Sequence, residues 1–146
     1  MINNLIIRAF YSEDTDAVTA IYRHHVLTGT ATFEEQPPNT EEMLRRLSGL
    51  TKTGFPVLVA CTSDDEVTGF AYAGPYKARS AYRFTVEDSI YVGPDHRRKG
   101  IGRALLMQLI SECRQREYKQ ILAVIGDSEN QGSIGLHRAC GFVHVG

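Results

Sequence analysis

The sequence lacks the features of several protein classes. None of its apolar runs approaches the length of a membrane span, and the first residues, MINNLIIRAF, have neither the long apolar core nor the cleavage site of a secretory signal. The three cysteines are too far apart for a disulfide framework or a CxxC metal site; they are Cys61, Cys113 and Cys140. We therefore expect a cytoplasmic protein with no membrane partner and no metal.

An excess of positive charge is also missing. The 16 Lys and Arg residues are balanced by 17 Asp and Glu residues, which leaves a formal net charge of −1. Nucleic-acid surfaces are typically basic and interleave aromatic side chains with the charges, whereas Arg97, Arg98 and Lys99 form a short run without aromatic neighbours. We expect no nucleic-acid partner, and any basic patch must be local.

Two common nucleotide-binding loops are absent. The GIG sequence of residues 100–102 would need a glycine at the position of Leu105 to complete GxGxxG, and no GxxxxGK followed by Ser or Thr occurs. The first absence disfavours a dinucleotide-binding turn, and the second argues against nucleotide hydrolysis.

Hydrophobic periodicity predicts alternating strands and helices in one domain over residues 1–146. The predicted strands cover residues 5–9, 56–62, 67–74, 82–92, 120–125 and 142–145. The predicted helices cover residues 12–27, 40–50, 100–117 and 128–139, with Ser12 capping the first and Gly141 ending the last. This order indicates a mixed α/β or α+β sheet with helices on its faces.

The stretch SIYVGPDHRRKGIG, residues 89–102, has the composition of an anion site. The first turn of a helix has unpaired backbone N–H groups and the positive end of the helix dipole. In the Arg-x-x-Gly-x-Gly pattern of residues 97–102, small residues let consecutive amides approach a pyrophosphate closely. A helix start with solvated arginines is the alternative, and it is the more frequent origin of so short a motif.

The strand before this loop is polar along one face. Alternate side chains face one way, so residues 85, 87, 89 and 91 form a set of Thr, Glu, Ser and Tyr, opposite the set from Phe84 to Val92 that includes Asp88. A strand in mid-sheet should be apolar on both faces. The polar row therefore predicts a wet cavity that contains Glu87, and an edge strand with a solvated Glu87 is the alternative.

A third polar cluster lies in NQGSIGLHRACGF, residues 130–142. Spacings of three and four residues place Asn130, Ser133 and His137 on one face of a helix. The three groups could line a ligand groove, or His137 could be a half-buried structural histidine.

Together, the polar strand, the RRKGIG loop and the NxxSxxLHxxxGF helix resemble the GNAT superfamily of acetyl-CoA-dependent N-acetyltransferases. GFAYAGPYKARSAYRFTVEDSIYV, residues 69–92, together with ATFEEQP and FPVLVA, resembles the phosphinothricin and methionine sulfoximine N-acetyltransferases in particular. The resemblance implies a mixed, mostly antiparallel sheet that is splayed open to admit the pantetheine arm of acetyl-CoA. It also implies a homodimer that acetylates a small amino-acid-like amine.

The resemblance further implies roles for the matched residues. The pantetheine arm would pair with the backbone of Ile90, Tyr91 and Val92. The pyrophosphate loop would comprise Arg97, Arg98, Lys99, Gly100, Ile101, Gly102 and Arg103. The cysteamine end would be flanked by Asn130, Ser133 and His137. The acceptor would lie near Phe33, Tyr72, Arg79 and Tyr82.

The same resemblance assigns two proton transfers. Glu87 would take a proton from the acceptor ammonium, and His137 stands where many GNAT enzymes have a tyrosine acid that neutralises the departing thiolate. Relatives continue past GF with a further strand, whereas this sequence ends at Gly146. We therefore expect a domain without its C-terminal strand. The alternative to an active enzyme is a catalytically impaired acetyl-CoA-binding module or a fragment completed by a partner.

Overall fold

A computed structural model describes residues 5–29, 32–76, 83–96, 100–124, 131–143 and 145. The five strands are β1 (Ile6–Ala9), β2 (Val57–Cys61), β3 (Val67–Pro75), β4 (Thr85–Val92) and β5 (Gln120–Leu122). The four α-helices are α1 (Thr15–Thr28), α2 (Thr40–Lys52), α3 (Ile101–Gln115) and α4 (Gln131–Ala139). Within the described part of the chain, no helix is both long and apolar enough to cross a bilayer.

The strands form one sheet in the order β1-β2-β3-β4-β5. The first four are antiparallel neighbours, and β5 runs parallel to β4. Pairing between β4 and β5 begins at Thr85 with Gln120 and ends at Glu87 with Leu122, although β4 continues to Val92. Among the described residues, no strand lies beside β4 from Asp88 onward on that side. The predicted mixed sheet, splayed open near its middle, is confirmed.

Each face of the sheet has its own hydrophobic core. One core packs α1 and α2 against a face that includes Phe70 and Tyr91, and the other packs α3 against a face that includes Ala71 and Val86. One face of α1 is buried along its whole length, at the three- and four-residue spacing of a helix stripe; it consists of Val18, Ile21, Tyr22 and Val26. Because side chains alternate along β4, residues next to each other in sequence face different cores.

The start of α1 differs from the prediction. Residues Ser12–Asp14 form a 3-10 turn, and α1 begins at Thr15. The carboxylate of Asp14 accepts the backbone N–H of Tyr11 at 2.8 Å and two hydrogen bonds from Arg8 at 2.8 and 2.9 Å. The prediction that Ser12 caps the helix was wrong, because the buried Asp14 organises this turn.

The segment after α4 is also different. Gly141 has a φ of 95° and ends the helix as predicted, since glycine adopts this left-handed conformation without strain. The N–H of Phe142 then donates to the carbonyl of His137 at 2.9 Å. Neither Phe142, Val143 nor Val145 belongs to a strand, so the strand predicted for residues 142–145 is not formed by the described ones.

Candidate active site

β4 presents backbone hydrogen-bonding groups to the opening beside it. The N–H of Gly93 donates to the carbonyl of Thr68 on the β3 side at 2.8 Å, and this direction alternates along an antiparallel pair. The backbone groups of Asp88, Ile90 and Val92 therefore point away from β3. Of the three predicted pantetheine partners, Ile90 and Val92 face the opening, whereas the backbone groups of Tyr91 face β3.

His25 forms a hydrogen bond with one of these outward backbone groups. Its Nε2 atom lies 3.0 Å from the carbonyl oxygen of Val92, and because a carbonyl only accepts, Nε2 must carry the proton. The ring of His25 is buried and lies against Tyr91, with 5.4 Å between ring centroids. Position 92 therefore offers its N–H to the opening, whereas position 90 offers both backbone groups.

The two glycines at the start of α3 are favoured at their positions for different structural reasons. Gly100 has a φ of 77°, in the left-handed region where glycine is favoured. Gly102 lies where three elements meet, because a Cβ atom there would be 3.3 Å from Cδ2 of Leu136 on α4 and 3.6 Å from Cγ2 of Val92 on β4. The first N–H groups of α3 have no partner inside the helix. Ile101 has a buried side chain, and Arg103 is exposed.

Glu87 lies where the opening begins, on the face covered by α1 and α2. Its partner on β5 is Leu122, the last paired residue, and its partner on β3 is Gly74. The carboxyl group is half-buried, and burial, with a smaller contribution from the charge of Asp88, raises the pKa of Glu87 above its ordinary value. This carboxyl is more basic than a solvated one.

A cavity of about 250 Å³ lies on the same face, between the sheet and the two helices. It is lined by Tyr22, Met43, Arg46, Leu47, Leu50 and Tyr72. Tyr72 is one of the residues predicted to lie near the acceptor amine. It pairs across β3 and β4 with Ser89, two residues from Glu87. The cavity lies on the face of the sheet where a wet cavity around Glu87 is predicted, but neither Glu87 nor any other residue of β4 lines it.

Glu34 ties the loop between α1 and α2 to both helices. Its carboxylate accepts from the hydroxyl of Tyr22 and from two nitrogens of Arg46, at 2.6 and 3.1 Å. The hydrogen bonds from Arg46 keep the pKa of Glu34 below its ordinary value, while burial and the contact with Glu34 raise the pKa of Tyr22 to about 12. The neighbouring Phe33, which is also predicted to lie near the acceptor amine, is 75% exposed.

A buried pair lies on the opposite face of β4. Nε2 of His137 is 2.7 Å from Oδ2 of Asp88, and their side chains are only 9% and 1% exposed. Nδ1 of His137 is 2.8 Å from the backbone carbonyl of Ser133, one turn earlier on α4, and it must donate there. Burial lowers the pKa of His137, but the hydrogen bond and charge of Asp88 and the Ser133 carbonyl outweigh it, so the pKa is raised overall.

The structure therefore brings Ser133 and His137 together, as their spacing predicts, but separates His137 from Glu87. The two proposed proton-transfer groups lie on opposite faces of β4. Six predicted site residues lie outside the described residues: Arg79, Tyr82, Arg97, Arg98, Lys99 and Asn130. Sequence reasoning missed Asp88, although a carboxylate within an otherwise apolar set on a central strand was a usable signal.

Comparison with known proteins identifies the family. Residues 15–142 match the acetyltransferase (GNAT) family, and this region contains every candidate residue discussed above. The chain belongs to the GNAT acetyltransferase family. The chain is 50% identical over 140 residues to a phosphinothricin N-acetyltransferase of Alcaligenes faecalis, covering 96% of this chain and 71% of that protein. It is 38% identical over 138 residues to an L-methionine sulfoximine/L-methionine sulfone acetyltransferase of Salmonella typhimurium, covering 94% and 80%.

A solved GNAT structure supports the same conclusion. The phosphinothricin acetyltransferase from Sinorhizobium meliloti, crystallised in complex with AcCoA, superposes with a TM-score of 0.94 at 45% identity, covering 98% of this chain and 77% of that chain. The GNAT resemblance inferred from the polar strand, the glycine loop and the α4 motif is thereby confirmed, as is the GNAT fold.

Proposed function

We propose that this protein is an acetyl-CoA-dependent N-acetyltransferase for the amine of a small amino-acid-like acceptor, of the phosphinothricin or methionine sulfoximine type. Family membership and the names of the relatives at 50% and 38% identity support the reaction and the acceptor class. The observation that carries the proposal is the position of Glu87. A half-buried carboxyl with a raised pKa stands where β4 and β5 separate, on the sheet face that also holds the cavity lined by Tyr72.

The described residues fit acetyl-CoA. Outward backbone groups at Ile90 and Val92 suit the amides of a pantetheine arm, and the N-terminus of α3 at Gly100 suits a pyrophosphate. The remaining proposed contacts are Arg97, Arg98, Lys99, Ile101, Gly102, Arg103, Asn130 and Ser133. When bound, acetyl-CoA supplies the acetyl thioester.

In the proposed reaction, Glu87 takes a proton from the acceptor ammonium, directly or through water, so that the amine can attack the thioester carbonyl. Phe33, Tyr72, Arg79 and Tyr82 would hold the acceptor. A forked guanidinium such as that of Arg79 suits a carboxylate or phosphinate, and aromatic walls exclude water.

The proposed acid for the departing thiolate is His137. The hydrogen bond and charge of Asp88 raise the pKa of His137, which favours the protonated ring. Both ring nitrogens already have partners, Asp88 and the Ser133 carbonyl, so an acid role requires Nε2 to turn its proton away from Asp88. This role stays a prediction.

The test is release of free thiol from acetyl-CoA in the presence of methionine sulfoximine or phosphinothricin. For Glu87→Gln we expect kcat to fall about 100-fold or more near neutral pH, with an unchanged KM for acetyl-CoA, because a positioned base contributes a factor of this size. Glu41→Gln, an exposed carboxylate on α2, is the matched control and should behave like the wild type. An unchanged pH profile in Glu87→Gln would remove Glu87 from the proposed role. Coenzyme binding without thiol release across a panel of amines would favour a binding module over an enzyme.

We also propose that the protein works as a homodimer in the cytoplasm. Cys61 and Cys113 are free and buried, which suits a reducing compartment. Sedimentation velocity at micromolar concentration tests the dimer, and a single monomeric species would contradict it.

A further inference from the structure

Asp88 and His137 join two elements where the sheet comes apart. Backbone pairing between β4 and β5 ends at Glu87, and the next residue of β4 bonds through its side chain to α4, the helix that follows β5 in the chain. One side-chain bond, spanning 49 residues of sequence, thus follows directly on the last backbone pair.

The geometry of the pair fixes its proton count. Nδ1 of His137 donates to a carbonyl, so the short contact between Nε2 and Oδ2 of Asp88 contains one further proton. A separation of 2.7 Å is typical of a charge-assisted hydrogen bond between imidazolium and carboxylate. The ring also packs edge-on against Phe142, with 4.9 Å between centroids, which restricts its rotation.

Asp88 is not fully satisfied by this bond. Its Oδ1 atom is buried and has no hydrogen-bond partner among the described residues. A buried carboxylate with an unpaired oxygen is costly, so it depends strongly on the histidine that it does contact. The contact therefore holds α4 in place against β4.

We propose that Asp88 is a positioning residue: through His137 it clamps α4 to β4 and so sets the width of the opening between β4 and β5. This role rests on the proposed function, in which the opening receives the thioester end of acetyl-CoA. A second contact supports the same alignment, because Gly102 allows Leu136 of α4 to approach β4 at Val92 closely.

The clamp depends on pH with a definite sign. Because the pKa of His137 is raised in the folded protein, the charged pair is complete below the ordinary titration range of histidine and is lost as pH rises through the folded-state pKa. Among the described residues, the other titratable groups around Asp88 are Cys113 on α3, Cys140 after α4 and Glu87 on β4. Burial raises the pKa of Cys113 to about 11 and also raises that of Cys140. The charged side chains that act on these thiols are Arg103, Glu112 and Arg116.

The experiment compares Asp88→Asn with Asp14→Asn. Asp14 is a matched control because it is buried and ion-paired with Arg8, at the β1 edge of the sheet and far from the opening. Calorimetric titration with acetyl-CoA should give a Kd raised about tenfold for Asp88→Asn, the size of effect expected between coupled neighbours, and a Kd within about twofold of wild type for Asp14→Asn. The Kd of the wild type for acetyl-CoA should rise as pH increases through the titration of His137. The Kd of Asp88→Asn should not show this pH dependence.

Hydrogen exchange on the same variants, without ligand, separates the clamp from the proposed function. Asp88→Asn should speed exchange in peptides from α4 and β5, and Asp14→Asn should leave them unchanged. Equal Kd values and equal α4 exchange in the two variants would overturn the clamp. If the wild type binds no acetyl-CoA while α4 still loosens in Asp88→Asn, the proposed function fails and the clamp stands.

Discussion

Removing one side of the Asp88–His137 pair should cost far more stability than removing the other. In His137→Leu the carboxylate of Asp88, whose side chain is 1% exposed, loses its one cationic partner among the described residues, which also offer no hydrogen bond to Oδ1. Stranding a buried charge in this way costs about 3–5 kcal/mol. In Asp88→Asn the amide can donate to a neutral Nε2 while Nδ1 still donates to Ser133. A neutral hydrogen bond then replaces a charge-assisted one, and the loss is about 1 kcal/mol, the difference between the two kinds of bond.

These values translate into separate melting temperatures. For a chain of this size, 1 kcal/mol corresponds to about 2–4 °C, so we expect Tm to fall by about 6–20 °C in His137→Leu and about 2–4 °C in Asp88→Asn. The double variant should be more stable than His137→Leu alone, because the Asp88→Asn substitution removes the stranded charge. Urea unfolding followed by circular dichroism at pH 7 gives the free energies for a double-mutant cycle. Equal costs for the two single variants, with a double variant at their sum, would refute a charged, coupled pair.

Two further variants test the loop between α1 and α2, which contains Glu34, and the start of α3. Glu34→Gln keeps the shape of the side chain but removes the negative charge that pairs with Arg46. Steady-state kinetics should therefore show the acceptor KM raised about two- to fivefold and the acetyl-CoA KM unchanged, with Glu42→Gln, which also contacts Arg46, as the control. In Gly102→Ala the new methyl group would press on Leu136, which offsets the helix-propensity gain of about 0.5–1 kcal/mol, so we expect near wild-type stability but weaker acetyl-CoA binding. Gly49→Ala is the control, because its new Cβ has nothing within 4 Å and the variant should be stabilised. An equal gain of stability in Gly102→Ala, with unchanged acetyl-CoA binding, would contradict a steric contact between the new methyl group and Leu136.

Local patterns in the sequence predicted much of this architecture. The buried stripe of α1 and the two faces of β4 follow from periodicity, because each depends on residues a few positions apart. Contacts between distant segments could not be predicted in the same way. The bond from Asp88 to His137 depends on how α4 returns over the sheet, and the bonds from Arg46 to Glu34 depend on the path of a loop rich in Thr and Pro.

Two predictions changed for physical reasons. The apolar run of residues 120–125 predicts a longer strand, but β5 ends at Leu122, where its only described neighbour, β4, separates from it. The glycine pattern predicts that Gly102 lets backbone amides approach a pyrophosphate. In the fold its missing side chain also makes room for Leu136, and no local pattern reveals a partner on another helix.

The alternation of β4 explains why two neighbouring carboxylates have different surroundings. Glu87 lies on the sheet face that packs against α1 and α2, whereas Asp88 lies on the face that packs against α3 and is bound to His137 on α4. The separation is incomplete, because the charge of Asp88 contributes to the raised pKa of Glu87. A shift of β4 by one residue would exchange the two carboxylates between faces, and both the base and the clamp would be lost together.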